Sequence, residues 1–254
     1  MKNRFVLRFT AWVFLSFCAV GLKAQDIGEV VNFDSSDGTI ITGYWQQVNA
    51  GHETPTIILF HMGGASARGE YAEIAPILNA EGFNTLAVDL RGGGDRLGAP
   101  NQTMQRLGNV DIPYCDTYPD LEASLDWVKN KNLGAVIVWG SSYSATLGIQ
   151  LIAKNGDDVV AALAFSPASG GPMAACRPDA FLDQLTVPLL TFRPSIEMEY
   201  GSVIEQAKLF RAKRLPYIEV KDGVHGSRML LKSSTGVEMD TAWGRVFAFL
   251  QAIQ

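Results

Sequence analysis

The sequence predicts an α/β domain: a mostly parallel sheet covered by helices on both faces. Three observations point there. Short apolar runs rich in β-branched residues alternate with segments of helical apolar spacing, the pattern of repeated strand–helix–strand units. Runs such as Thr56 to Phe60 and Ala135 to Trp139 read as compact strands buried in a parallel sheet. Finally, 254 residues, with 47% hydrophobic and 19% charged, can bury one large core, which argues against disorder.

The first 24 residues form a separate segment. Lys2, Arg4 and Arg8 precede an apolar run from Phe9 to Leu22 that ends at Lys23-Ala24-Gln25. A positive start, a short apolar centre and a small residue at the end predict a secretory signal peptide cleaved near Ala24. The run is short for a membrane span, so no stable membrane association is expected after cleavage; a retained N-terminal anchor is the alternative. Cys18 follows Phe17, where a lipoprotein site would need a small residue. Residues 1–24 carry four cations and no acid, so cleavage takes the net charge from -5 to -9. No basic cluster follows the N-terminus, which argues against a nucleic-acid partner. The expected location is periplasmic or extracellular. Cys115 and Cys176 then remain, in loops at the same sheet edge, where they can pair or stay separate thiols.

Residues 25–254 read as one domain. Glu29 to Phe33 and Thr39 to Val48 are predicted strands joined by a turn at Ser35-Ser36-Asp37-Gly38. Thr56 to Phe60 is the next strand and runs into His61-Met62-Gly63-Gly64. Tyr71, Ile74, Ala75 and Leu78 share one face of a helix that Gly82 ends. Asn84 to Leu90 is a strand, followed by Arg91-Gly92-Gly93-Gly94. Asp95 to about Tyr114 has no clear periodicity and reads as a loop. Leu121, Leu125 and Val128 define a helix.

After the Ala135 to Trp139 strand and a helix through Ile152, Val159 to Phe165 is again a strand. Ala168 to Leu185 is mixed and too short for a cap domain. Pro188 to Phe192 is a strand, Gly201 to Ala212 a helix and Tyr217 to Lys221 the last strand. Asp240 to Ile253 closes the chain as a helix with Trp243, Val246, Phe247 and Leu250 inward.

The chemistry centres on Gly140-Ser141-Ser142-Tyr143-Ser144, where strand, tight turn and helix meet. A serine on such a turn stands clear of the sheet, beside the free N–H groups and positive dipole end of the next helix. That is the requirement of a nucleophile elbow, G-x-S-x-G, with Ser144 a mild departure at the last position. The bland alternative is a tight strand-to-helix turn of small residues. A serine hydroxyl needs a base and a group to orient that base. Of the three histidines, His52 falls in a surface turn and His61 in the glycine-rich loop, where it holds backbone. His225, in the flexible loop after the last strand, is the candidate base. The orienting acid should follow the Pro188 to Phe192 strand; Glu197 is the candidate and Glu199 the reserve. The order serine, acid, histidine fits this elbow. Oxyanion donors are expected from the N–H of Tyr143 and of Gly63, with Met62 the alternative.

Ser142, Gly63, Glu197 and His225 all follow strands, so they should share one sheet edge. The histidines and remaining cysteines show no metal-ligand spacing, so neither metal nor cofactor is expected.

Taken together, Leu59-Phe60-His61-Met62-Gly63-Gly64-Ala65-Ser66 with Arg68-Gly69-Glu70-Tyr71, Asp89-Leu90-Arg91-Gly92-Gly93, the elbow, and Val187-Pro188 through Glu197 span nearly all of residues 25–254. In this ordered set the chain resembles the α/β-hydrolases, most closely the dienelactone-hydrolase-related branch. The resemblance implies an eight-stranded, mostly parallel sheet and hydrolysis through an acyl-enzyme; the short Ala168 to Leu185 segment leaves a minimal lid. Two positions depart from it: dienelactone hydrolases use cysteine where this chain has Ser142, and their acid is usually aspartate where this chain offers a glutamate. Asp89 and Arg91 are expected to fix loops. The function expected is an exported serine hydrolase acting on a small-molecule carboxylic ester. A peptidase or amidase on the same fold, and a non-catalytic binding protein, are the alternatives.

Overall fold

The computed structural model describes residues 26–49, 51 and 53–253. The expected signal peptide, Cys18 and His52 lie outside them. One sheet of eight strands runs through the molecule: β1 (Glu29–Asp34), β2 (Ile40–Gln46), β3 (Thr56–Phe60), β4 (Asn84–Asp89), β5 (Val136–Ser141), β6 (Ala161–Phe165), β7 (Leu189–Pro194) and β8 (Tyr217–Val220), in the order β1-β2-β4-β3-β5-β6-β7-β8. β2 is antiparallel to both of its neighbours; β4, β3, β5, β6, β7 and β8 run parallel. This is the architecture of the α/β-hydrolase fold.

The helices are α1 (Ala67–Tyr71), α2 (Ile74–Ala80), α3 (Gln102–Arg106), α4 (Tyr118–Lys129), α5 (Tyr143–Lys154), α6 (Gly201–Ala212), α7 (Lys232–Thr235) and α8 (Asp240–Ala252). Because strand side chains alternate between faces, each central strand feeds two cores. Ile58 and Phe60 of β3, Val138 of β5 and Ala162 and Ala164 of β6 pack with Leu121, Leu125, Leu147 and Phe210 from α4, α5 and α6. Their sequence neighbours Ile57, Leu59, Ile137, Trp139, Leu163 and Phe165 pack with Ile74, Leu78, Val246 and Leu250 from α2 and α8. Burial on both sides explains why these strands are continuously apolar. None of the helices among the described residues is long and apolar enough to cross a membrane.

Strand ends differ from the sequence expectation by one or two residues. Three departures are larger. The helix expected around Tyr71 and Leu78 is divided into α1 and α2 at Ala72-Glu73. Pro76 has no N–H to give the carbonyl of Ala72, and its ring crowds that carbonyl. Even so, Tyr71, Ile74, Ala75 and Leu78 all reach the same core.

Second, the expected loop from Asp95 to Tyr114 contains α3. Its N-cap Asn101 accepts the Met104 N–H at 2.9 Å, and Thr103 accepts the Thr42 N–H from β2 at 2.9 Å. Five residues are too few to show a helical period. Third, the stretch after His225 is not plain loop: a 3-10 turn at Ser227–Leu230 and α7 precede α8.

The segment from Ala168 to Leu185 forms three short 3-10 turns, at Gly171–Met173, Pro178–Ala180 and Leu182–Gln184. Met173, Cys176 and Leu182 anchor it to the core beneath α5. Cys176 forms a disulfide with Cys115, Cα to Cα 5.7 Å. The bridge ties this segment to the 3-10 turn Tyr114–Thr117 that leads into α4.

Candidate active site

Ser142 stands between β5 and α5 with φ 61° and ψ -121°, a left-handed conformation that costs energy for any residue with a side chain. The turn is held by the Ser142 N–H, which donates to the Phe165 carbonyl at 2.8 Å. Glycine is required two residues earlier: a Cβ on Gly140 would lie 2.4 Å from the Ala145 Cα. The serine that departs from the motif has its own local use. Ser144 Oγ accepts the Ser141 N–H at 3.0 Å and donates to the Phe60 carbonyl at 2.7 Å, binding the turn to the end of β3.

Three of the expected side chains converge at the carboxyl edge of the sheet. His225 Nε2 is 2.8 Å from Ser142 Oγ, and His225 Nδ1 is 2.5 Å from Glu197 Oε1. A carboxylate only accepts, so the imidazole donates its Nδ1–H to Glu197 and leaves Nε2 to accept the serine proton. Glu197 is buried, whereas the His225 side chain is 47% exposed. The imidazole therefore faces the surface while the carboxylate is held beneath it. Glu199, the reserve acid, is exposed and outside this arrangement.

Burial by itself raises the Glu197 carboxyl. The hydrogen bond and charge of His225, then those of Arg193, outweigh it and hold the group below its ordinary range. The buried guanidinium of Arg193 reaches Glu197 Oε2 at 2.5 Å, Gln206 Oε1 at 2.6 Å and the Tyr217 hydroxyl at 3.2 Å. Ser166 adds a weaker contact, donating to Glu197 Oε1 at 3.3 Å while accepting the Gly226 N–H at 3.1 Å. Arg193 was readable only as a residue in the acid's loop; nothing local marks an arginine that also meets Gln206 and Tyr217, each from another segment.

Among the described residues, the N–H groups of Gly63 and Tyr143 have no hydrogen-bond acceptor. The Met62 N–H, the alternative donor, is taken by Glu70 Oε2 at 2.5 Å. His61 Nδ1 donates to the Met62 carbonyl at 2.8 Å, and its Nε2 accepts the Leu90 N–H at 2.9 Å. Complete burial lowers His61 to about 4, against the pull of its backbone hydrogen bonds. The ring is thus neutral near pH 7 and holds backbone. The peptide that joins Met62 to Gly63 is planar. Pinning its carbonyl on His61 points the Gly63 N–H the opposite way.

Tyr114 was not singled out by the sequence. Its ring stacks on Tyr143 at 4.4 Å, and its hydroxyl lies where a Cβ on Gly63 would be, 2.2 Å from that position. Asp89 and Arg91 do fix loops. Asp89 accepts the N–H groups of Ala67 and Gln102, and Arg91 bonds Asp120, Asp37 and Ser35. Among the described residues, no cluster of three or more histidine, cysteine, aspartate or glutamate side chains could hold a metal ion.

Fold and sequence together define a serine hydrolase of the α/β-hydrolase class. Residues 51–213 match the Hydrolase_4 family, described as serine aminopeptidase, S33; the chain belongs to that family. The matched span includes Ser142 and Glu197 and ends before His225. None of the curated proteins matches the chain.

Solved structures share its fold. An esterase of Pyrococcus furiosus superposes with a TM-score of 0.66 at 16% identity, covering 99% of this chain and 96% of its own. A protein assigned as a dienelactone hydrolase from Klebsiella pneumoniae gives 0.61 at 16% identity, covering 87% of this chain and 98% of its own. An acylaminoacyl peptidase of Pyrococcus horikoshii gives 0.60 at 13% identity over 87% of this chain, but only 41% of its own.

Proposed function

We propose that the protein is an exported carboxylic-ester hydrolase working through an acyl-enzyme on Ser142. The observation that carries this reading is the continuous hydrogen-bonded series from Ser142 Oγ through the His225 imidazole to Glu197. In the first step Ser142 Oγ attacks the ester carbonyl while His225 Nε2 takes its proton. The tetrahedral oxyanion accepts from the N–H groups of Gly63 and Tyr143, the latter at the positive end of the α5 dipole. His225 then gives its proton to the departing alcohol. Water attacks the acyl-enzyme with His225 again as base, releasing the acid and restoring the serine. Glu197 keeps the imidazole in the required tautomer and stabilises its charged form.

The half-exposed base and the small segment at Ala168 to Leu185 suit a small or medium ester that enters from the surface. Export is supported by the character of residues 1–24 and by the Cys115–Cys176 bridge, since disulfides persist in oxidising compartments. The family description favours a second reading, a peptidase acting through the same residues on an amide.

One experiment separates these readings. Hydrolysis of short-chain p-nitrophenyl esters and of aminoacyl anilides is measured for the wild type and for Ser142→Ala, together with labelling by a serine-directed phosphonate. We expect ester turnover to dominate, and Ser142→Ala to lose about 10⁴-fold or more in kcat and to resist labelling. Faster anilide turnover would install the peptidase reading. Equal labelling of the variant would end both.

A further inference from the structure

Glu70 has no task in the mechanism above, yet it is one of the most completely buried acids in the chain, 1% exposed. It lies on α1, behind the elbow. Its Oε2 accepts the Met62 N–H at 2.5 Å. Its Oε1 accepts the Ser141 hydroxyl at 2.5 Å and the Ser227 N–H at 3.2 Å. Ser227 N–H also donates to Ser141 Oγ at 3.0 Å, which closes the network. No lysine or arginine among the described residues forms an ion pair with Glu70.

A carboxyl taken out of water without a cation is costly, and burial raises its pKa against the pull of Ser141, Met62 and Ser227. Simple core filling does not call for such a group. What a carboxylate alone supplies is acceptor capacity on both oxygens, with no donor to conflict with the groups around it. All of its hydrogen-bond partners here are donors. Each also stands within two residues of a group that the ester reaction uses: Met62 precedes Gly63, Ser141 precedes Ser142, and Ser227 follows His225 by two.

We propose that Glu70 is a positioning residue for the reaction: one buried carboxylate sets the oxyanion loop, the nucleophile elbow and the histidine loop in fixed register. The proposal rests on the roles given to Ser142, His225 and Gly63. The division of labour at residue 62 is specific. Glu70 holds the Met62 N–H and His61 holds the Met62 carbonyl, so residue 62 is fixed on both sides and the Gly63 N–H keeps its direction. Oxyanion donors act only when held at hydrogen-bond distance, about 2.7 to 3.1 Å, from the developing charge. A tether of this kind serves the transition state more than the bound ester.

The variant Glu70→Gln keeps size and shape but replaces one acceptor oxygen by a donor, which must face an N–H or a hydroxyl. Its test uses kcat and KM for a p-nitrophenyl ester, inhibition by an alkyl boronic acid, and thermal unfolding. The boronic acid forms a tetrahedral adduct with serine and reads the oxyanion site directly. We expect kcat to fall about tenfold or more and boronic acid binding to weaken by a similar factor, with KM changed less than about twofold. A folded Glu70→Gln with kcat and inhibition within about twofold of the wild type overturns the proposal.

If that variant does not fold, Ser141→Ala, which deletes one of the three donors, decides: a kcat reduced about threefold or more at unchanged KM supports the role, and an unchanged kcat overturns it. Ser142→Ala in the same assay keeps the two claims apart. An active Ser142→Ala removes the assignment of the nucleophile itself, whereas an inactive one beside a fully active Glu70→Gln removes only the role of Glu70.

Discussion

Arg193 and Glu197 form a buried ion pair, Nη1 to Oε2 2.5 Å, at the end of β7, with 2% and 8% of their side chains exposed. The pair leaves the other carboxylate oxygen for His225. Arg193 thus adds to His225 in holding the buried Glu197 below its ordinary range.

Replacing Arg193 by methionine tests this. Removing one partner of a buried pair leaves the other charge uncompensated and costs about 3 to 5 kcal/mol. The sign for Glu197 follows from its depressed pKa. Its contribution to stability is present above the ordinary carboxylate range and lost as pH falls through the native value. Without Arg193 the native value rises toward the unfolded one, so that contribution shrinks. We expect Arg193→Met to unfold at lower temperature and to lose about tenfold or more in kcat. The acid limb of its kcat/KM profile should move upward in pH. An unmoved acid limb in a folded variant would show that His225 alone sets the state of Glu197.

How far the site was legible depended on whether a residue's role was written into its neighbours. Ser142 was legible because an apolar strand, small residues and an apolar helix surround it. Glu197 and His225 were legible from their places after β7 and β8. Gly63 stood out as glycine in a loop after a strand. Arg193, Tyr114 and Glu70 were not, because their partners are scattered: Glu70 meets residues 62, 141 and 227, and no periodicity records such a meeting. The fold was more legible than the site because two-sided burial imprints continuous apolarity on every central strand. Local failures arose where tertiary contacts stand in for periodicity, as in α3, or where a proline divides a helix whose apolar face stays regular, as between α1 and α2. The bridge could not be read either, since spacing along the chain gives no Cα separation.

Asp89 offers a pH test remote from the reacting groups. It ends β4 and accepts the Ala67 N–H at 2.8 Å, the Gln102 N–H at 2.7 Å and the Tyr44 hydroxyl at 3.2 Å. Burial lifts its carboxyl from 3.8 to about 6 in spite of these bonds. Between those values the native state holds a proton that the unfolded chain has released. The stability contributed by this group is complete below the unfolded value and falls as pH rises through about 6. The fall is about 3 kcal/mol. Asp89→Asn cannot titrate. Urea unfolding at acid and neutral pH should show the stability gap between wild type and variant narrowing as pH rises. A gap that stays constant would mean that Asp89 is already ionised in the acid-state protein.

The Cys115–Cys176 bridge closes a loop of sequence separation 61, for which the loss of chain entropy in the unfolded state corresponds to about 4 kcal/mol. It also fixes the turn that carries Tyr114, whose ring stacks on Tyr143 and whose hydroxyl borders Gly63. The bridge touches none of Ser142, His225 or Glu197. Reduction, or the paired replacement of both cysteines by alanine, should therefore lower stability by about 2 to 4 kcal/mol. It should raise KM more than it lowers kcat, because the turn that carries Tyr114 loosens while Ser142, His225 and Glu197 stay in register. Urea unfolding with and without reductant gives the first quantity, and Michaelis parameters below the unfolding transition give the second. A kcat loss at constant KM would instead tie Tyr114 to the stabilisation of the transition state. Two titratable thiols in the unreduced, unfolded protein would remove the bridge and the stability argument with it.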